Sequence, residues 1–252
     1  DELVAPADML ELDKWAVTRL NSLIEKVFAA YDNYEFHVVS HMINDFCVVD
    51  LSSFYFDIIK DRLYCGEENG LERRSAQTAV WMILDAMTRM FAPILAFTCD
   101  EIWLAMPHRA ADDARNVLFN EMVQPYAAYA LSQEEMGRWA RIAALRTAVN
   151  GALEQARADK TIGKSLEAEV DLTVTAEDAF LTEMDADALA DTLIVSQVRV
   201  DVGAAQAVAV RPASGAKCLR CWKVLPTVGS DAQHPDLCPR CAAVVAKMDV
   251  EF

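Results

Sequence analysis

The sequence predicts a mainly α fold: an antiparallel helical bundle, then a small α/β junction domain and a zinc knuckle with four cysteine ligands. Three observations carry this. Apolar residues recur at steps of three and four from Asp8 to about Ala158, alternation replaces that rhythm near Glu169, and two Cys-x2-Cys pairs follow at Cys218/Cys221 and Cys238/Cys241.

From about Asp8 to Ala30, Leu12, Ala16, Leu20, Leu23, Ile24 and Val27 share one helical face. A second helix opens near Glu35 on the stripe Phe36, Val39, Ile43 and Phe46, bends around Asp50–Ser53, and continues through "FYFDIIKDRLY". A third starts near Leu71 and carries Ala76, Val80, Ile83, Met87 and Met90 inward; Pro93 should kink or end it. Thr98 and Glu101 have the spacing of a capping box, which predicts a short new helix beginning there. Pro107 to Leu131 reads as loop. Ser132 and Glu135 form a second capping box, opening a long helix to about Ala158 with Trp139, Ile142, Leu145, Val149 and Leu153 buried. Long helices joined by short connections argue for a bundle over residues 1–150.

Val170, Leu172 and Val174 then alternate as in a half-buried strand, a helix is expected across "EDAFLTEMDADALADTL", and strands at "IVSQVRVDV" and "AVAVR" complete a junction domain over 151–211. Residues 212–252 form the zinc-binding tail. No apolar run reaches the length of a membrane span, and the acidic start "DELVAPADMLELDKW" is unlike a signal peptide, so a cytoplasmic chain is expected.

Cys218, Cys221, Cys238 and Cys241 have metal-ligand spacing, since two residues between thiolates let one turn aim both sulfurs at a single ion. Four thiolates close the tetrahedron, so the zinc is expected to be structural rather than catalytic. The bland alternative is four free cysteines or a labile disulfide pair. His234 lies between the pairs and is read as a loop histidine. Cys47, Cys65 and Cys99 sit among apolar residues as small hydrophobes.

The net charge is −16, distributed as −18 over residues 1–210 and +2 over 211–252. An acidic body repels nucleic acid, so an RNA partner would need local basic patches. Lys217, Arg220, Lys223 and Arg240 flank the cysteines, with Trp222 among them. Either they grip phosphates while Trp222 stacks on an unpaired base, or they offset thiolate charge while the indole packs on the junction domain. Lys160 and Lys164 form a second small basic turn, open to the same two readings. "KTIGKS" is not a phosphate loop, because Ala158 stands where that pattern needs glycine and no strand precedes it. Asp57, Lys60, Asp61 and Arg62 read as a polar helix face with local ion pairs, and His37 and His41 as a polar helix edge lacking a third ligand. Met82, Met87 and Met90 are core filling.

"YDNYEFHVVSHMINDFCVVDLSSFYFDIIKDRLY" (31–64) and "MTRMFAPILAFTCDEIWLAM" (87–106) resemble the anticodon-binding domain of the class I synthetases for isoleucine, valine and leucine. "VNGALEQARADKTIGKSLEAEV" resembles the junction that follows it, and "KCLRCW…CPRC" is similar to the zinc-binding tail of the bacterial isoleucyl-tRNA synthetase family, whose C-terminal part the chain therefore resembles. The resemblance implies a monomer that holds the anticodon arm of isoleucine tRNA and binds neither DNA nor membrane. In the intact family an ATP-using catalytic domain attaches isoleucine. Its His-Ile-Gly-His and Lys-Met-Ser-Lys-Ser signatures do not occur here, so the expectation is a ligase portion with no catalytic residues, inactive alone. The competing class is a zinc-stabilised protein adaptor that binds no RNA; a DNA-repair enzyme would need a basic cleft and its own catalytic groups.

Overall fold

The three-and-four rhythm of the first helix is matched by its burial: Ala16, Val17, Leu20, Ile24 and Val27 are all inaccessible. In the computed structural model, which describes residues 3–248, this helix is α1 (Glu11–Asp32). It is followed by α2 (Phe36–Asp45), α3 (Phe56–Cys65), α4 (Leu71–Phe91) and α5 (Ala96–Ala105). The chain divides into two units. One holds the residues up to Leu63 together with Glu68–Met136; the other holds Tyr64–Glu67 and everything from Gly137 onward.

The core of the helical unit is built from Leu20, Ile24, Tyr55, Ile59, Met82, Met90 and Trp103, each almost wholly buried. Between α2 and α3 the expected bend is a π-helical stretch, Phe46–Tyr55. Widening the helix there keeps Leu51, Phe54 and Tyr55 inward while leaving Val48 and Val49 exposed. Ser53 donates its hydroxyl to the carbonyls of Val48 and Val49, which the wider turn leaves available. Helix α4 stops at Phe91, ahead of Pro93, whose ring cannot continue the ladder. The Thr98–Glu101 box does not start α5. That helix begins at Ala96 with Leu95 as its N-cap and no side-chain cap, so Thr98 lies inside it.

Asp13 lies at the centre of this unit, fully buried, and accepts from every group that faces it. Tyr55 donates at 2.7 Å, Ser75 at 2.5 Å, and Arg62 closes on both carboxylate oxygens at 2.7 and 3.1 Å. Burial, and after it the charge of Asp13, push the Tyr55 phenol well above its usual value. Arg62 thus pairs with Asp13 on α1, and not locally on its own helix face as expected of it; Lys60 and Asp57 do make the local pair, at 2.9 Å. A second buried carboxylate, Asp85, binds Arg89 at 2.8 Å and Arg109 at 2.8 Å, with Asp112 taking the far side of Arg89 at 2.8 Å.

In the second unit, helix α6 (Gln133–Ala158), which belongs to it from Gly137 on, is opened by the expected box: Ser132 N–H donates to Glu135 Oε2 at 2.7 Å and Glu135 N–H to Ser132 Oγ at 3.2 Å. Strands β1 (Ala168–Val174), β2 (Gln197–Val202) and β3 (Ala207–Pro212) form a sheet in the order β2-β1-β3. Val170 faces Val198 on the parallel side and Val210 on the antiparallel side. A parallel neighbour requires a crossover. It runs through a 3-10 segment, Ala176–Thr182, and α7 (Ala186–Leu193). The single helix expected there is broken because Asp185 caps α7, accepting from Ala188 N–H at 2.9 Å. The tail adds a two-stranded ribbon, β4 (Ala216–Lys217) with β5 (Val224–Leu225), and helix α8 (Pro239–Val245). Gly215 enters that ribbon at φ +114°, where a Cβ would lie 2.2 Å from the carbonyl carbon of Leu225.

Removing the Asp13 carboxylate leaves the Arg62 guanidinium buried without its counter-charge. We expect Asp13→Ala to destabilise the helical unit by about 3–5 kcal/mol, measured by urea denaturation; a loss under about 1 kcal/mol would show the network to be dispensable.

Candidate metal centre and nucleic-acid interface

Cys218 and Cys221 sit in the turn between β4 and β5, and Cys238 and Cys241 at the start of α8. All four are buried, and their Sγ atoms lie within 4.8 Å of one another. The Cys221 and Cys238 sulfurs are 3.9 Å apart. That is far beyond a disulfide bond of about 2.05 Å. It is close to the edge of about 3.8 Å that follows from zinc–sulfur bonds of about 2.3 Å in a tetrahedron. The backbone supports the same arrangement: Cys238 N–H donates to Cys218 Sγ at 3.3 Å, and Cys218 N–H to the Lys223 carbonyl at 2.9 Å. The Cys221 thiol is held down at about 4, first by its hydrogen bond with Cys241, while Cys241 is raised by the same bond. Among the described residues this is the one group of three or more potential ligands, and His234 is not part of it.

Trp222 follows the second ligand directly. Its backbone has φ +67°, in the left-handed region, which costs a side-chain-bearing residue about 1–2 kcal/mol. The residue is 57% exposed. Two ammonium groups lie near the ring, Lys164 Nζ at 5.8 Å and Lys217 Nζ at 5.9 Å from its centroid. A flat aromatic surface beside two exposed cations can stack on an unpaired base while the cations meet its phosphates.

The remaining expected contacts are placed differently. Lys223 is buried, 8% exposed, and its ammonium pairs with Asp191 on α7, so it is not a surface cation. Arg220 is half-buried, turned back to donate to the Cys65 carbonyl, with Nη1 4.0 Å from Cys241 Sγ; it serves the thiol cluster. Cys65 in turn packs against the four cysteines. Arg240, half-buried in the first turn of α8, adds the smallest of the influences that lower Cys221. Lys160 is exposed at φ +58°, where it closes α6. Lys164, Lys217 and Trp222 are therefore brought together, whereas Arg220 and Lys223 are drawn inward. Asp191, Ser196 and Gln197, which hold the tail, carried no sequence signal, because their partners there lie 17 to 32 residues away in the chain.

Residues 13–172 match the family described as the anticodon-binding domain of tRNA ligase, and residues 215–244 match the zinc finger found in FPG and IleRS. The chain is 43% identical to the isoleucine–tRNA ligase of Geobacter sulfurreducens over 250 residues, 94% of this chain and 26% of that protein. It is 44% identical to that of Desulforamulus reducens over 254 residues, covering 96% and 27%. The chain thus spans about a quarter of the length of these curated relatives.

Glycine at position 222 would relieve the left-handed strain but add freedom to the unfolded chain, two effects that nearly offset. We expect Trp222→Gly to unfold in urea within about 1 kcal/mol of the parent; a loss above about 3 kcal/mol would mean that the indole is part of a core.

Proposed function

The chain belongs to the anticodon-binding domain family of tRNA ligases, and we propose from that premise that it is the tRNA-holding, C-terminal portion of an isoleucine–tRNA ligase. In this reading residues 1–150 receive the anticodon stem and loop, residues 151–211 are a junction, and residues 212–252 carry the zinc tail. The whole ligase would be a cytoplasmic monomer that joins isoleucine to its tRNA at the expense of ATP, using residues outside this chain.

The observation that carries the reading is Trp222: an exposed ring, held in a strained backbone conformation, beside Lys164 and Lys217. The turn that carries this strain is closed by Cys218 N–H on the Lys223 carbonyl at 2.9 Å; it fixes the backbone but leaves the side chain exposed, which points to a use for the ring it presents. The ring would take an unpaired base and the two ammonium groups its flanking phosphates. Lys160 adds an exposed charge on the same turn as Lys164. The small number of cations supports contact by stacking in which charge plays the lesser part.

Cys218, Cys221, Cys238 and Cys241 would hold one zinc ion, supported by the sulfur spacing and by the match of this segment to a zinc-finger family. The ion would supply folding energy to a segment with little apolar core of its own. Arg220, beside Cys241, offsets part of the negative charge that four thiolates bring.

Two measurements test this. The zinc-loaded chain should prefer isoleucine tRNA to valine tRNA, with an affinity that falls with salt only as about two or three phosphate contacts require, and Trp222→Ala should weaken it by roughly 5- to 100-fold, the worth of one stacked base; no binding above background at low salt would favour the protein-adaptor reading. One zinc per chain is expected by metal analysis. A chelator should collapse the amide NMR dispersion of residues 215–245 while leaving β1–β3 intact; unchanged tail signals would exclude a structural metal.

A further inference from the structure

The side chain that follows Trp222 is turned the opposite way. Lys223 is buried, and its ammonium meets Asp191 in the last turn of α7. An acid at a helix C-terminus opposes the helix dipole, so the dipole of α7 does not favour Asp191 there. Beside it, Val224 N–H donates to Ser196 Oγ at 2.7 Å, and Gln197 Nε2 donates to the carbonyls of Val224 and Ser214 at 3.1 and 2.9 Å. Ser196 is itself fixed, donating to the Leu166 carbonyl at 2.6 Å. On the other side of Trp222, Cys221 is held in the thiol cluster, and Trp222 N–H donates to the Cys218 carbonyl at 2.9 Å.

Trp222 is therefore a single left-handed residue held between the thiol cluster before it and, after it, the Cys218 N–H bond to the Lys223 carbonyl at 2.9 Å, the Val224–Ser196 bond and the Lys223–Asp191 pair. Left-handed backbone in a residue with a side chain persists only where its surroundings over-determine it. We propose that Asp191 is a positioning residue for the base-stacking surface: through Lys223 it holds the Trp222 backbone in its strained conformation, so that the indole stands beside Lys164 and Lys217 before any RNA arrives. Asp191 touches no RNA in this account. The inference rests on the stacking reading of Trp222 and adds to it the device that prepares the ring. A loosened Trp222 would still sample the presented state, and affinity would fall by the fraction of time spent in it.

The test uses the zinc-loaded 252-residue chain, Asp191→Asn and, as a second route to the same loss, Lys223→Met, with zinc content checked in each. Amide relaxation of Trp222 is measured without RNA, and affinity for isoleucine tRNA is measured in parent and Trp222→Ala backgrounds. We expect the Trp222 order parameter to fall from about 0.85 to below about 0.6 in both variants. Affinity should drop roughly fivefold, as for a presented state populated a fifth of the time. In the Trp222→Ala background the same substitutions should change affinity little, the mark of two residues acting through one contact. A Trp222 amide that stays rigid in both variants overturns the inference, and so does a loss of affinity that persists undiminished without the indole. If Trp222→Ala binds tRNA as tightly as the parent, the stacking reading fails and the inference falls with it. The two failures are told apart because the relaxation is read in the absence of RNA.

Discussion

The carboxylate of Asp13, without access to water, is the point on which the helical unit depends. A charge in that position is tolerable only if its lone pairs are filled, and here α1 supplies the anion while the π-helical stretch, α3 and α4 each supply a donor, in Tyr55, Arg62 and Ser75. Apolar packing alone would accept several rotations of α3 against α1. A bidentate guanidinium accepts very few, because both oxygens of one carboxylate must be met at once. The network therefore fixes register among helices that hydrophobic contact only brings together. The π-helical widening belongs to the same constraint, since it lets Tyr55 face Asp13 while Phe54 still reaches Trp15, with ring centroids 4.7 Å apart.

The same habit of internal pairing changes what a net charge of −16 means. Several cations that composition counts as available to a polyanion are committed inside the protein. Arg62 belongs to Asp13, Arg89 and Arg109 to Asp85 and Asp112, and Arg146 donates to the Thr192 carbonyl at 3.1 Å. Lys223 and Arg220 repeat the pattern in the zinc-finger segment. What remains around Trp222 is two lysine ammonium groups. The proposed interface, with so few charges, would draw its affinity from surface contact as well, and the exposed indole is where that contact is available.

Much of this was legible beforehand, for identifiable reasons. Periodicity and capping chemistry are local, so α1, α4, α6 and β1 fall where their residues indicate, and the Ser132–Glu135 box is made as its spacing requires. The thiol cluster was legible because two residues between cysteines already encode a turn. The Thr98–Glu101 spacing misled because a capping box needs the chain to be non-helical at its first residue, and here Leu95 already accepts from Cys99 N–H at 2.9 Å. Arg220 and Lys223 misled for a different reason. Neighbours of a ligand are close to it in sequence, but whether a cation faces water depends on partners such as Asp191 and the Cys65 carbonyl, which only tertiary structure supplies. Lys164 and Trp222 were each legible as single residues; their meeting was not.

The left-handed residues give the strongest internal argument about function. Besides glycine there are four among the described residues: Tyr34, Lys160, Ile194 and Trp222. Three of them end helices, and each is repaid by the hydrogen bond that such an ending makes five residues back: Glu35 to Ala30 at 2.8 Å, Thr161 to Ala156 at 2.9 Å, and Val195 to Ala190 at 3.0 Å. Trp222 ends no helix. Its conformation is imposed by the turn the chain must make after Cys221, closed by Trp222 N–H on the Cys218 carbonyl and Cys218 N–H on the Lys223 carbonyl, both at 2.9 Å, and a glycine would meet that demand without steric cost. Packing does not account for the indole either, since more than half of the residue stays exposed. What distinguishes tryptophan from glycine at this position is a large aromatic face with two ammonium groups near it, the combination that the proposed contact with a base and its phosphates would use.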